Sequence, residues 1–262
     1  MTLMEIHFYS QSLQIQTTAN ALLPEPQVMS QRGGKPLQAL YLLHGLSDDH
    51  TMWTRQTRLE QYARQYRVAV VMPAANRSFY TDMAHGARYF TFVSEELPAV
   101  MERYLPLSAA RRDRFAAGLS MGGYGALKLG LRFPDRYCAV ASLSGALEME
   151  KAYDDGMGQA PEFLRELDDI FGGRDSLAAG KDNLSRLAAE LTKTPERAPR
   201  MYVACGTEDF LIQANESFVR SFGGSLPIEY HTEPGAHTWQ FWDRHIERVL
   251  QWLPLERAEN VW

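Results

Sequence analysis

The run Gly118-Leu119-Ser120-Met121-Gly122-Gly123 constrains this chain more than any other feature. It fits the pattern G-x-S-x-G, and its flanks supply the strand–turn–helix setting that the pattern needs. Arg114-Phe115-Ala116-Ala117 reads as a short buried strand. Residues 124–131, rich in small and apolar side chains, read as a buried helix that ends before Pro134. So sharp a turn forces Ser120 into a strained backbone conformation. Gly118 and Gly122, two positions to either side, remove the side chains that would collide there. The hydroxyl then stands clear of the sheet edge at a helix N-terminus, whose free N–H groups favour negative charge.

The rest of the chain reads as the architecture such a turn belongs to. Residues 3–23 alternate polar and apolar, as in Ile6-His7-Phe8-Tyr9 and Leu13-Gln14-Ile15-Gln16, and predict antiparallel edge strands. Continuous apolar runs at 37–43, 68–72, 137–143 and 201–205 suit strands covered on both faces, with a weaker strand at 228–231. Helices are expected over 52–67, 92–105, 210–222 and 238–253. Strand and helix alternate, which predicts an α/β fold: a mainly parallel central sheet with helices on both faces. The 262 residues suit a single α/β domain, 1–262, with one small insertion over 146–199 before the acid-bearing strand.

Charge and cysteine content exclude several classes. The net charge is −5 and no long basic run appears, so no nucleic-acid partner is expected. Cys138 and Cys205 lie in apolar strand-like runs and read as two buried free thiols. The N-terminus lacks a basic start followed by an apolar stretch, and no apolar run is long enough to span a bilayer. The expectation is a cytoplasmic protein with no membrane insertion.

A serine nucleophile needs a base within reach and a carboxylate to orient that base. Asp209, in Gly206-Thr207-Glu208-Asp209, falls just past the strand that begins at Met201, at a strand's C-terminal edge. Glu208 is its rival, and Asp209 would also serve as a cap for the helix starting at Phe210. His237, in Pro234-Gly235-Ala236-His237, closes a loop before the last helix and follows Ser120 and Asp209 in order. Of the seven histidines, His7 and His231 lie in strand-like runs and His245 reads as part of a solvated helix face. His50 and His85 lie in loops that spacing alone leaves open. An oxyanion hole needs two N–H donors. Met121, next after the serine, offers one, and Leu46, after the strand 37–43, offers the other, with Gly45 allowing close approach. His44 reads as a brace for that loop.

With these segments in hand, the chain resembles the esterase D branch of α/β-hydrolases, and most of all bacterial tributyrin esterases and acetylesterases. The resemblance rests on His44-Gly45-Leu46-Ser47 with Trp53, on residues 76–83 with Tyr80, on the Ser120 turn, on Gly206-Thr207-Glu208-Asp209-Phe210 and on Gly235-Ala236-His237-Thr238-Trp239. It implies the α/β-hydrolase fold, a triad of Ser120, Asp209 and His237, and oxyanion donors at Leu46 and Met121. It also implies substrate contacts from Trp53, Tyr80 and Gly45, although both aromatics equally suit plain packing. The implied activity is hydrolysis of short-chain acyl esters, acetyl to butyryl, by a serine carboxylesterase with a small-molecule ester substrate and neither metal nor cofactor. S-formylglutathione hydrolase, feruloyl esterase, acyl transfer to a sugar or alcohol, and a non-catalytic binding protein are the alternatives. The first usually carries a cysteine soon after His-Gly-Leu, where this chain has Ser47-Asp48-Asp49, and a histidine before the serine, where this chain has Leu119. Met149, Met157, Phe163 and Leu167 of the insertion are expected to line the acyl pocket. The resemblance and an exposed tail bearing Trp252 and Trp262 make a homo-oligomer an expectation.

Overall fold

The computed structural model of the protein describes residues 1–30, 33–154 and 161–258. Eight strands form one sheet: β1 (Thr2–Ser10), β2 (Ile15–Leu23), β3 (Gln38–Leu43), β4 (Val68–Pro73), β5 (Arg114–Leu119), β6 (Ala139–Leu143), β7 (Arg200–Gly206) and β8 (Ile228–Glu233). Their spatial order is β1-β2-β4-β3-β5-β6-β7-β8. The first two strands form an antiparallel hairpin, β2 runs antiparallel to β4, and every later pairing is parallel.

Side-chain alternation divides the core in two. Along β3, Ala39, Tyr41 and Leu43 face one apolar cluster, while Leu40 and Leu42 face the other. The first cluster takes in Leu127 of the helix Met121–Arg132 together with Leu167 and Leu184 of the insertion. The second takes in Leu59 and the helix Trp239–Trp252 through Trp242, Ile246 and Val249. The C-terminal ends of β3, β5, β6 and β7 therefore share one edge between the two layers, where open parallel sheets build their sites.

Several expectations change in detail. The helix expected over 52–67 is two short helices, Met52–Gln56 and Leu59–Ala63. Thr57 between them is extended (φ −134°, ψ 168°), and its hydroxyl donates to the Trp53 carbonyl at 2.5 Å while accepting the Leu59 N–H at 3.2 Å. A short hydroxyl side chain has offered the backbone an alternative to helix. The helix over 92–105 starts earlier, at Tyr89, and passes through a π-helical turn, Phe92–Glu96, before Leu97–Tyr104. Pro98, which has no N–H to donate back to Ser94, adjoins this wider turn. Cys205 is buried but Cys138 is only half-buried, and both thiols are free. Trp252 is not an exposed tail. Its indole donates to Glu229 at 2.6 Å, the Arg200 guanidinium covers it at 4.5 Å, and it meets the Tyr202 ring edge-on. Trp262 and Met157 lie outside the described residues.

Between β6 and β7 the described residues of the insertion include the α-helices Met149–Asp154, Pro161–Phe171, Arg174–Ala179 and Leu184–Leu191. Met149 and Leu167 are buried in the core cluster, and that burial corrects the expectation that they line the acyl pocket, while Phe163 is half-buried and packs against the cluster. A lysine ties the insertion to the sheet. Lys128 is wholly buried, and its ammonium reaches Asp182 at 2.5 Å, the Thr81 hydroxyl at 2.8 Å and the Tyr80 carbonyl at 3.0 Å. Removing one partner of a buried pair leaves the other uncompensated, at about 3–5 kcal/mol. Lys128→Met should lower stability by about that amount in urea unfolding, and Lys128→Met combined with Asp182→Asn should recover part of it. A double variant no more stable than the single one would show that the pair is not the cause.

His245 departs furthest from the sequence reading. It lies fully buried under β7, not on a solvated face, with Nδ1 3.0 Å from the Tyr202 hydroxyl and its ring against Phe241. Burial holds its pKa down to about 4, and burial does the same for His44. In the unfolded chain both ionise near 6.5. The unfolded state therefore takes up protons first as pH falls, so stability is full above about 6.5 and is lost between roughly 6.5 and 4, at most about 3 kcal/mol for each ring. His245→Gln should lose less stability than wild type between pH 7 and pH 4.5 in paired urea titrations. Parallel losses would rule out this ring as a source.

Candidate active site

Ser120 sits at the turn between β5 and the helix Met121–Arg132 with φ 52° and ψ −117°, a conformation that a side-chain-bearing residue holds only under tertiary constraint. Its N–H donates to the Leu143 carbonyl at 2.9 Å, and its own carbonyl accepts from Tyr124 and Ala146. The two glycines are there for contact. A Cβ at Gly118 would stand 2.3 Å from the Gly122 carbonyl oxygen, and one at Gly122 would stand 2.4 Å from that of Leu43. The turn is thus pressed against the end of β3, where the next loop begins.

That loop is fixed from beneath. His44 is buried, its Nε2 accepts the Ala75 N–H at 3.0 Å, and its Nδ1 donates to the Gly45 carbonyl at 2.7 Å. A ring kept neutral by burial can hold both roles at once. Trp53 donates its indole N–H to the Leu43 carbonyl at 3.0 Å, and the Tyr80 hydroxyl donates to the His44 carbonyl at 3.0 Å. Trp53 is 1% exposed and Tyr80 0%. These two rings lie beneath the site as supports, which corrects their expected place on its wall. Tyr80 and its neighbour Phe79 both have left-handed backbones, φ 48° and 47°, at a cost of about 1–2 kcal/mol each. Lys128, on the Tyr80 carbonyl and the Thr81 hydroxyl, helps hold them there. The Gly45 N–H is taken by Asp48 at 3.1 Å. The N–H groups of Leu46 and Met121 have no protein acceptor among the described residues.

Asp209 and His237 meet where β7 and β8 end. His237 Nδ1 lies 2.9 Å from Asp209 Oδ2 and 3.1 Å from Oδ1. Asp209 is buried, and Oδ1 also accepts the Leu211 N–H at 2.9 Å, but the expected capping role is not met, since Leu211 is the N-cap and no side chain caps the helix. The helix it precedes starts at Ile212 rather than Phe210. Burial pushes the Asp209 carboxyl up, but the bond and charge of His237, with hydrogen bonds from Leu211 and Ser144, hold it below the usual carboxylate range. Glu208 is exposed and turned away, its carboxylate taken by the Thr207 hydroxyl and the Gly235 N–H. His50 is placed over β2, where its carbonyl accepts from Asn20, and His85 bonds through its backbone to Asp169. The hydrogen bonds of His237 go to Asp209, and none joins it to Ser120. Such contacts are often long until substrate is bound.

Two further residues shape the surroundings of Asp209 and His237. Trp242 stands edge-on to the His237 ring at 4.9 Å and donates its indole N–H to the Ser144 hydroxyl at 3.0 Å. Ser144, buried just past β6 with φ 49°, is one of the groups that lower the Asp209 carboxyl. The sequence carried one signal for Ser144, a polar residue before a glycine directly after a buried strand. Phe210 covers the other side of the ring at 4.6 Å and is itself 66% exposed. Beside it opens a cavity of about 560 Å³ walled by Glu148, Lys151, Leu211 and Gln213.

Comparison with known proteins places the chain in a family. The Esterase family model matches residues 10–253. An acetyl esterase of Caldicellulosiruptor saccharolyticus is 32% identical over 267 residues, 97% of this chain and 98% of that protein. Among solved structures, the fluorophosphonate-binding serine hydrolase FphF of Staphylococcus aureus superposes with a TM-score of 0.87 at 30% identity, covering 96% of this chain and 98% of the other. The S-formylglutathione hydrolase FrmB of the same organism gives 0.84 at 30% identity with the same coverage. The sheet and its helices are thus of the α/β-hydrolase type.

Proposed function

The chain belongs to the Esterase family and is a carboxylic ester hydrolase, and on that premise we propose that it is a serine esterase of short acyl chains, acetyl to butyryl, acting through Ser120, His237 and Asp209. In this reading His237 Nε2 takes the Ser120 proton as Oγ attacks the ester carbonyl carbon. The Leu46 and Met121 N–H groups receive the negative oxygen of the tetrahedral intermediate. His237 then hands the proton to the departing alcohol, and water repeats the sequence on the acyl-serine. Asp209 keeps Nδ1 protonated and stabilises the imidazolium. The observation that carries the proposal is the Asp209 carboxylate cradling His237 Nδ1 at 2.9 and 3.1 Å, with Ser120 strained at the end of β5, two strands away in the sheet. Each oxyanion donor contributes roughly 3 kcal/mol to the rate.

The acyl preference is tested with p-nitrophenyl esters of increasing chain length. The short-chain reading follows the likeness to an acetyl esterase, so kcat/KM should peak between two and four carbons and fall by about tenfold by eight. A maximum at long chains would overturn the short-chain reading. A fluorophosphonate probe should label the wild-type protein at Ser120, read by peptide mass. Labelling elsewhere would remove Ser120 as the nucleophile.

A further inference from the structure

The loop proposed to hold the oxyanion also carries a carboxylate that the proposed mechanism does not use. Asp48 lies half-buried two residues beyond Leu46. Its Oδ2 accepts the Gly45 N–H at 3.1 Å, and its own N–H closes the turn on the Gly45 carbonyl at 3.3 Å. Its approach depends on residue 45 being glycine: a Cβ there would stand 2.7 Å from Asp48 Oδ2 and 2.6 Å from Leu119 Cδ1. Oδ1 has no protein partner among the described residues. Burial and the adjacent Asp49 push the Asp48 carboxyl up from its ordinary value, against the Gly45 hydrogen bond and the charge of His237, and Asp49 is itself held by Thr51.

Asp48 is bonded to Gly45, next to the Leu46 N–H that in the proposed mechanism receives the oxyanion, so its charge lies beside the reacting ester. A fixed anion there accepts hydrogen bonds from hydroxyl or ammonium groups and repels carboxylates. We propose that Asp48 is a specificity-determining residue that admits esters of neutral or cationic alcohols and rejects esters whose leaving group is anionic. The inference rests on the serine-esterase reading above. It also gives Ser47-Asp48-Asp49 a physical meaning: glutathione, an anionic leaving group, would meet a like charge beside the base.

The test uses two acetates that differ in charge, 4-carboxyphenyl acetate and 4-carbamoylphenyl acetate, each normalised to its alkaline hydrolysis rate. At low ionic strength the wild type should favour the neutral ester by about tenfold in kcat/KM, and Asp48→Asn should cut that preference about fivefold, because one negative charge near the cleft is worth roughly that factor. Asparagine keeps an oxygen for the Gly45 N–H. Salt at 1 M should shrink the wild-type preference as well. Asp49→Asn, the same charge change one residue on, should move it less than twofold. An unchanged preference in Asp48→Asn, equal effects at both positions, or a wild-type preference indifferent to salt would each overturn the proposal, and the salt series decides if the variant fails to fold. A wild type that cleaves neither acetate would instead overturn the esterase reading.

Discussion

Ser120→Ala is expected to lower kcat toward p-nitrophenyl acetate by on the order of 10⁵-fold or more, since the members of such a constellation act as a unit and the nucleophile has no substitute. The variant should fold. The strain at residue 120 is held by the Leu143 carbonyl on one side and by Tyr124 and Ala146 on the other, all through backbone atoms that alanine keeps. An unchanged urea midpoint beside an absent rate is therefore the expected pair of results, together with loss of fluorophosphonate labelling. Turnover within tenfold of wild type would remove Ser120 from the chemistry.

Asp209→Asn should cost on the order of 10⁴-fold in kcat. The loss arises from the tautomer. An amide placed 2.9 Å from His237 Nδ1 can present N–H where the carboxylate presented only oxygen, and a ring that accepts at Nδ1 carries its proton on Nε2, facing the serine it should deprotonate. Substrate binding should change little, so the fall appears in kcat rather than KM. Glu208→Gln supplies the comparison, because that carboxylate serves the Gly235 N–H and the Thr207 hydroxyl. It should lose less than about tenfold in rate. If the two variants were equally impaired, the choice between the adjacent acids would be wrong.

Much of this arrangement was legible in the chain because it rests on local rules. Buried parallel strands show as unbroken apolar runs, and β3, β4, β5, β6 and β7 lie where those runs fall. The turn at Ser120 was legible because Gly118 and Gly122 answer a steric demand that spans only four residues. Asp209 and His237 followed from their positions after strands. What stayed hidden depends on which distant segment covers a residue. His245 has polar neighbours in its own helix, Arg244 and Arg248, and only the packing of that helix under Tyr202 buries it. Trp53 and Tyr80 were recognised as belonging to the site, but the side of the loop they occupy is a tertiary fact, decided by which carbonyls their polar atoms reach. The break at Thr57 was missed because periodicity registers the apolar face of a helix and is blind to a hydroxyl that bonds its own backbone. Lys128 was passed over inside an apolar run, its partner Asp182 far along the chain.

With the proposed triad, the parallel pairing of the last two strands would set when this protein becomes reactive. Ser120 is in place once β5 meets β3 and β6, whereas the acid and the base arrive only with β7 and β8, the outermost additions to that side of the sheet. Contacts between segments so far apart in sequence close late and slowly. A chain still emerging from the ribosome would carry its reactive alcohol for much of synthesis without the imidazole that switches it on. Recovery of hydrolysis during refolding would then trail the return of helical signal, and the enzyme would come alive only as its last strands join the sheet.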